Sequence, residues 1–421
     1  MNPFTMLMVE LALQEIYAGR YAAAEALVKW AISAWMDVGY CLYLLGHSQY
    51  HLKRYAESAI ALGDAVVLRP DLASAHNDLS AALHALGRDP EAVAAVQRAV
   101  ALDPNLAEAE ETLGIELLRA GRLREGWPLY EGRLRSTLGA KMRQDHPGPP
   151  WRGARPIAGR TIFLHAEQGA GDTLQFVRYA RLLAEEGATV VLGVHRGMRT
   201  LLTGLAGVST LIERGEDVPP YDLQCPLLSL PLAFDTDLDS IPADVPYLFA
   251  APERVAAWRA RLGPRGKKRV GVVFSGNPAH PDDLRRSIPL VQFARVLAGA
   301  PDREFHVLQN ELRPADRGVL EMLPNLHEHT AAIADFADTA ALIALMDVVV
   351  TVDTSVAHLA GAMGWPVWLL LPFKPDWRWM LEREDSPWYP TMWLFRQQRP
   401  GDWESVLDEV AKQLDEMLGN P

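Results

Sequence analysis

Gly19, Lys53, Gly87 and Gly121 stand 34 residues apart, and other columns keep the same step: Glu57, Glu91 and Glu125; Ala31, Ala65 and Ala99; Pro70 and Pro104. A unit of that length cannot bury its own apolar face. Units must therefore stack, and about three are needed before the stack encloses a continuous core. Small Ala and Gly in the repeated columns let helices approach closely, while Pro just past a helix cannot continue it. Three units with flanking helices fit within residues 1–135, which predicts an N-terminal helical solenoid. The first unit carries Trp30, Trp35 and Cys41 where later units carry Ala and Val. These side chains either seal the end of the stack or present a contact surface.

Period and pattern resemble the tetratricopeptide repeat, which implies a module that receives a protein partner. The chain has 421 residues, room for about two to four domains. At 49% hydrophobic and 22% charged residues it is composed like an ordinary soluble globular chain. The formal charge of −12 argues against nucleic-acid binding, which needs Lys and Arg clustered on one face. The short basic run RGKKR at 265–269 reads as a solvated linker. No apolar run approaches the ~18 residues of a membrane span, and no Lys or Arg precedes an apolar stretch at the start, so the expected location is cytoplasmic. Cys41 and Cys225, far apart, support neither a disulfide framework nor a cysteine zinc site.

Residues 136–158 are dense in Gly, Pro and Arg without sustained periodicity, as an interdomain connector is. Beyond it, apolar runs alternate with helical stretches. The first set, within 159–250, has TIFLHA at 161–166, a helix from about Thr173 to Glu186, TVVLGV at 189–194 and shorter apolar pieces at 208–212 and 221–225. The second, within 269–400, has RVGVVFS at 269–275, EFHVLQ at 304–309, DVVVTVD at 347–353 and PVWLLLP at 366–372, with helices from about Leu290, through 340–345 and from Ser355. This alternation implies two parallel sheets buried on both faces, joined through 251–268.

Ligands of doubly wound sheets sit at the carboxyl ends of the strands, and that is where residues with chemistry fall. Asp172 follows the first strand; Ser275, Gln309 and Asp353, Thr354 and Ser355 follow three strands of the second set. In VDTSVAH at 352–358 a strand passes straight into a helix, whose free N–H groups and dipole favour an anion, and His358 lies one turn in from Thr354. Equally, Asp353 or Thr354 caps the helix and His358 packs against the sheet. The loop at 277–287 carries Arg285 and Arg286, whose planar guanidinium groups suit a diphosphate, unless the loop is simply solvated. In EQGAGDTLQF at 167–176, Gly169 and Gly171 permit a tight turn beside a ligand. Asp172 then faces the cleft, or caps the following helix.

Together these residues resemble bacterial glycosyltransferases of GT-B architecture, specifically the heptosyltransferase-like family. Gly171 and Asp172 match its Gly-Asp motif, and Asp353, Thr354 and His358 match its Asp-Thr/Ser-x-x-x-His motif. With WPLYEGR at 127–133, PPWRG at 149–153, PLLSLPLAF at 226–234, FSGNPAH at 274–280 and LPFKPDWRW at 371–379, the likeness is to the tetratricopeptide-fused branch and covers nearly the whole chain. It implies an N-terminal tetratricopeptide α-solenoid followed by a GT-B pair of doubly wound, Rossmann-like α/β domains. The domain at 159–250 would take the acceptor and that at 269–400 the nucleotide sugar, with a helix in 401–421 returning toward the first. It further implies Asp172 as the base for the acceptor hydroxyl in an inverting transfer, and donor binding by Ser275, Arg285, Arg286, Gln309, Asp353, Thr354, Ser355 and His358. The chain departs from the family where Pro281 stands in a loop that usually presents Lys, and where Gln309 replaces a carboxylate for the donor ribose. The cation then falls to Arg285 or Arg286, and both departures point away from a heptose donor.

Further candidates for a donor or acceptor pocket are Gln168, Gly171, Asp335, Phe336 and Trp377. Asp335 and Phe336 open a helix near where a nucleotide base would rest, with capping as the alternative; Trp377 and Arg378 line the donor pocket, or else Trp377 and Trp379 pack against the neighbouring domain. No His, Asp or Glu group has metal spacing, so neither a metal nor a cofactor is expected beyond the nucleotide-sugar co-substrate, and N–H groups and Arg would meet the diphosphate charge. Three readings follow: a glycosyltransferase acting on a protein recruited by the repeats, one acting on a glycan or lipid-linked saccharide, or a non-catalytic scaffold that binds nucleotide sugars. Self-association is left open.

Overall fold

The computed structural model describes residues 3–418 except 35–36, 138, 140–145, 281 and 298–301, and omits the side chains of 3–5; Trp35 and Pro281 lie outside the described residues. The chain forms two compact units, one of repeats and one holding the sheets.

Among the described residues, eight α-helices build the repeats: α1 (Pro3–Tyr17), α2 (Tyr21–Ser33), α3 (Val38–His51), α4 (Tyr55–Leu68), α5 (Ala73–Ala85), α6 (Asp89–Leu102), α7 (Ala107–Arg119) and α8 (Leu123–Tyr130). Gly19, Lys53, Gly87 and Gly121 sit in the turns that follow α1, α3, α5 and α7, with φ of 73, 62, 80 and 76°. This left-handed turn explains the column, because Gly adopts it without a Cβ clash. Lys53 takes it at a cost of about 1 kcal/mol. Ala31, Ala65 and Ala99 are fully buried, and at Gly114 a Cβ would lie 2.5 Å from the Tyr130 backbone nitrogen. The glutamate column has a different cause. Arg54, Arg88 and Arg122 donate from Nε to Glu57, Glu91 and Glu125 at 2.7, 2.8 and 2.8 Å, in pairs too exposed to add much stability. Of the three unusual side chains in the first unit, two are among the described residues: Cys41 packs with Val28 and Ala31, whereas Trp30 remains 42% exposed.

The second unit holds two parallel sheets. The first contains β1 (Thr161–His165), β2 (Thr189–Val194), β3 (Val208–Glu213) and β4 (Leu223–Pro226) in the order β3-β2-β1-β4. The second contains β5 (Lys268–Val273), β6 (Arg303–Val307), β7 (Leu326–His327), β8 (Val348–Val352), β9 (Val367–Leu371) and β10 (Met392–Arg396) in the order β10-β9-β8-β5-β6-β7. β8 and β9 are buried at every residue, as strands covered on both faces must be. A helical repeat region followed by two doubly wound sheets is the architecture the sequence predicts. β7 and β10 escape that prediction: β7 has two residues, and β10 lies among the Pro, Trp and Arg that make its surroundings read as loop.

Three connections differ from expectation. The helix after β1 is two helices, Ala170–Phe176 and Tyr179–Glu185, and begins three residues early. Within 251–268 lies the helix Pro252–Leu262, held by Arg254 and Trp258, which donate to Asp338 Oδ1 at 2.9 and 3.0 Å. The C-terminal helix Trp403–Leu418 does not return to the first sheet as the resemblance implies. It packs on the helix Leu290–Leu297 of the second sheet, burying Trp403, Val406, Leu407 and Val410. Arg295 donates to Glu404 at 2.6 Å and Arg303 to Asp415 at 2.7 Å along the same side.

Candidate functional site

The chain leaves β1 through a Gly-containing loop into the helix Ala170–Phe176, where Asp172 is the third residue. The N-cap is Gly169, which corrects the reading of Asp172 as the cap. Gly169 N–H donates to Asp172 Oδ2 at 2.6 Å, so the carboxylate closes the first turn from inside the helix. Its other oxygen, Oδ1, accepts from Arg378 Nη2. Arg378 also donates from Nε to Gln175 Oε1 at 2.7 Å, one turn along the same helix, and from Nη1 to Asp376 Oδ1 at 2.8 Å. Its guanidinium carbon lies 4.2 Å from the centre of the Trp377 ring. Gln175, Trp377 and Arg378 are all buried.

β8 enters the helix Ser355–Ala362 directly. Thr354 is its N-cap, with Oγ1 accepting from Val356 N–H at 3.3 Å; Thr354 and Ser355 are half-buried. His358 is buried, stacks on Trp379 at 5.2 Å and 28°, and has Nδ1 2.9 Å from the Tyr389 hydroxyl. Burial, reinforced by the Arg378 charge, pushes its pKa down to about 3. The ring is therefore neutral near pH 7: it can donate a hydrogen bond but adds no charge. The helices that follow β1 and β8 touch at Gly171, where a Cβ would lie 2.9 Å from His358 Cδ2. That contact brings Asp172 and the end of β8 to one place.

The charges around β8 are unequal. Burial first, and the Asp376 carboxylate second, raise the Asp353 carboxyl above the usual range, against the pull of Arg286. Asp376 is desolvated too, but Arg378 beside it outweighs that and holds its carboxyl below the usual range. In the loop after β5, Arg286 ends a short helix, Asp283–Arg286, and folds back over Gly276, where a Cβ would meet its Nη2 at 2.8 Å. Arg286 Nη1 donates to the Asp353 carbonyl at 2.8 Å. Arg285 points elsewhere; it is 46% exposed and 3.5 Å from Asp282.

Ser275 and Gln309 are buried and engaged with one another. Gln309 Nε2 donates to Ser275 Oγ at 2.9 Å and to the Glu311 carbonyl at 2.8 Å, while Oε1 accepts from the N–H groups of Phe274 and Ser275 at 3.1 and 3.4 Å. The amide braces the end of β5 against the chain leaving β6. Arg313, which nothing in the sequence singles out, steadies the same loop by donating to Asp283 Oδ2 at 2.6 Å and Ser287 Oγ at 2.9 Å. Trp377 stacks on Phe176 at 6.5 Å and 24°. Asp335 caps the helix Phe336–Ile343 by accepting from the N–H groups of Ala337 and Asp338 at 2.9 and 3.0 Å, with Phe336 half-buried beside it. Gln168 is half-buried in the β1 loop.

Two further features have no linear signature. Arg178 is buried, donating at 2.9 Å to the carbonyls of Gln175, Pro242 and Trp388 and to the Tyr247 hydroxyl, with its guanidinium carbon 4.8 Å from the Tyr389 ring. A positive charge thus stands behind Tyr389 and His358. A cavity of about 70 Å³ opens at the ends of β1, β2 and β3, lined among others by His146, His165, His195 and Arg214.

No family model matches the chain. It is 26% identical over 328 residues to Protein FlbA of Caulobacter vibrioides, a match that covers 71% of this chain and 53% of that protein. The chain therefore spans about half the length of the curated relative it matches. Among solved structures, the glycosyl transferase family 9 protein from Veillonella parvula is similar with a TM-score of 0.48 and 11% identity, over 63% of this chain and 99% of that one. A thermophilic TPR protein of Thermus thermophilus is similar with a TM-score of 0.29 and 21% identity, over 31% of this chain and 73% of that one. Among the described residues no helix is long and apolar enough to cross a membrane.

Proposed function

We propose that this chain is a glycosyltransferase that moves a sugar from a nucleotide-sugar donor to an acceptor hydroxyl, on a protein held by the repeats. The observation that carries this reading is the meeting of Asp172 with Asp353, Arg286 and His358 where the helices after β1 and β8 touch. The sequence resemblance to heptosyltransferase-like enzymes gives that meeting a chemistry. Asp172 takes the proton of the acceptor hydroxyl; the oxygen attacks the anomeric carbon; the bond to the diphosphate breaks and its electron pair leaves with the phosphate. Arg286, the N–H groups at the start of Ser355–Ala362 and the neutral ring of His358 meet the charge that develops on the leaving group. Arg285 has no part in this arrangement, and Ser275 and Gln309 support the loop rather than the donor.

The test is thermal stabilisation of the purified chain across nucleoside diphosphates and nucleotide sugars, followed by a search for product on protein, glycan and lipid-linked acceptors. A ligand at ~100 times its Kd adds about 2.7 kcal/mol to stability, and transfer should disappear in Asp172→Asn. Absence of any nucleotide-dependent shift overturns the reading. A scaffold that binds nucleotide sugars without transfer is the second reading. It is favoured by one observation: both oxygens of Asp172 already accept hydrogen bonds from within the protein.

A further inference from the structure

The segment after β9 reaches the helix after β1 through one side chain. Arg378 grips that helix with two arms of its fork, Nη2 on Asp172 Oδ1 and Nε on Gln175 Oε1, while the third is fastened to Asp376 on its own loop. The grip is braced from its own loop. Asp376 Oδ1 also accepts the Arg378 backbone N–H at 3.0 Å, and the Trp377 ring, its centre 4.2 Å from the guanidinium carbon, stacks on Phe176 of the gripped helix. Residues three apart on a helix share a face, so Asp172 and Gln175 present their oxygens to the same planar group. Such a fork fixes orientation as well as distance, which a lysine ammonium cannot do.

We propose that Arg378 is a positioning residue: it sets the direction in which Asp172 presents its carboxylate to the end of β8, and so the separation between base and donor in the proposed transfer. This rests on the transferase reading and adds to it a residue that the sequence connects only with a donor pocket. Asp172 is oriented because Arg378 holds Oδ1 and the Gly169 N–H holds Oδ2. Displacement by about 1 Å at a reacting group can cost about a hundredfold in rate.

The test uses the full chain and the variants Arg378→Lys and Arg378→Gln, with two readouts. The first is amide exchange across 170–176 in the protein alone, where Arg378→Gln should exchange at least tenfold faster and Arg378→Lys should fall between it and the parent. The second is steady-state transfer, where kcat should fall about a hundredfold in Arg378→Gln with donor KM within threefold, and guanidinium ion added at millimolar concentration should restore part of kcat. Unchanged exchange across 170–176 in a folded Arg378→Gln overturns the positioning role whether or not transfer is observed. If the parent neither binds nucleotides nor transfers sugar while exchange still responds, the function fails and the positioning of Asp172 stands. If exchange responds but kcat does not while Asp172→Asn is inactive, the catalytic part of the proposal fails.

Discussion

Gly171→Ala tests the point on which the candidate site depends, the contact between the helices after β1 and β8. An alanine in place of glycine inside a helix ordinarily gains up to about 1 kcal/mol. At Gly63 in α4 nothing lies within 4 Å of a built Cβ, so Gly63→Ala should show that gain and serves as the reference. At Gly171 the Cβ would stand 2.9 Å from His358 Cδ2 and 3.5 Å from Ser355 Cα. His358 cannot retreat freely, because it stacks on Trp379 and hydrogen-bonds Tyr389 at 2.9 Å. Overpacking a rigid site costs about 1–3 kcal/mol, and Gly171 lies in the first turn, where the propensity gain is small. Gly171→Ala should therefore destabilise the sheet-bearing unit by about 1–2 kcal/mol while Gly63→Ala stabilises the repeats. The assay is urea unfolding followed by fluorescence of the buried Trp377, Trp379 and Trp388, with the repeats followed by circular dichroism. A Gly171→Ala protein as stable as the parent would refute the close packing at His358, and with it the placement of Asp172 beside β8.

Other predictions follow from charge and backbone. Arg286→Ala should weaken nucleoside diphosphate binding about tenfold to a hundredfold, the worth of one or two hydrogen bonds to a charged group, and Arg285→Ala should change it less than twofold; calorimetric titration of the two variants decides. Because Asp353 is held more protonated than an ordinary carboxyl and a diphosphate would raise it further, binding should take up a proton and tighten as pH falls below neutral; Kd measured between pH 8 and 5.5 should show this, and a flat profile would contradict it. Burial pushes the pKa values of His306, His329 and His358 down to about 3, 4 and 3. Folded values below the ordinary 6.5 mean that the stability these residues contribute is present above pH 6.5 and is lost as pH falls toward 3–4, at up to about 1.4 kcal/mol per pH unit for each. His306 Nδ1 and His329 Nε2 lie 3.0 Å apart, a contact that needs one nitrogen without a proton, so the urea midpoint should drop between pH 7.5 and 5. Finally, Lys53→Gly should relieve the left-handed strain and stabilise the repeats by up to about 1 kcal/mol, measured by thermal unfolding.

The amino-acid order alone determines the elements whose physics is local. A left-handed turn every 34 residues requires glycine or a strained substitute, and that requirement is visible as Gly19, Lys53, Gly87 and Gly121. Strands buried on both faces need continuous apolar runs, and VVVTV and VWLLL announce β8 and β9 without a partner in view. The ends of those strands locate Asp172, Asp353 and Thr354 for the same reason. What the chain order cannot carry is which polar groups satisfy one another. Arg285 and Arg286 are adjacent and chemically identical, yet one turns to solvent and the other back over Gly276 to Asp353, because the short helix that ends at Arg286 points them apart. Gln309 and Ser275 stand 34 positions apart and exchange their hydrogen bonds, while Arg378 spans some two hundred residues to reach Asp172 and Gln175. The pKa of His358 and the buried charge of Arg178 arise only when burial removes water from around them. Period and hydrophobicity are properties of neighbours in sequence; desolvation and the pairing of distant charges exist only once the two sheets have folded against each other.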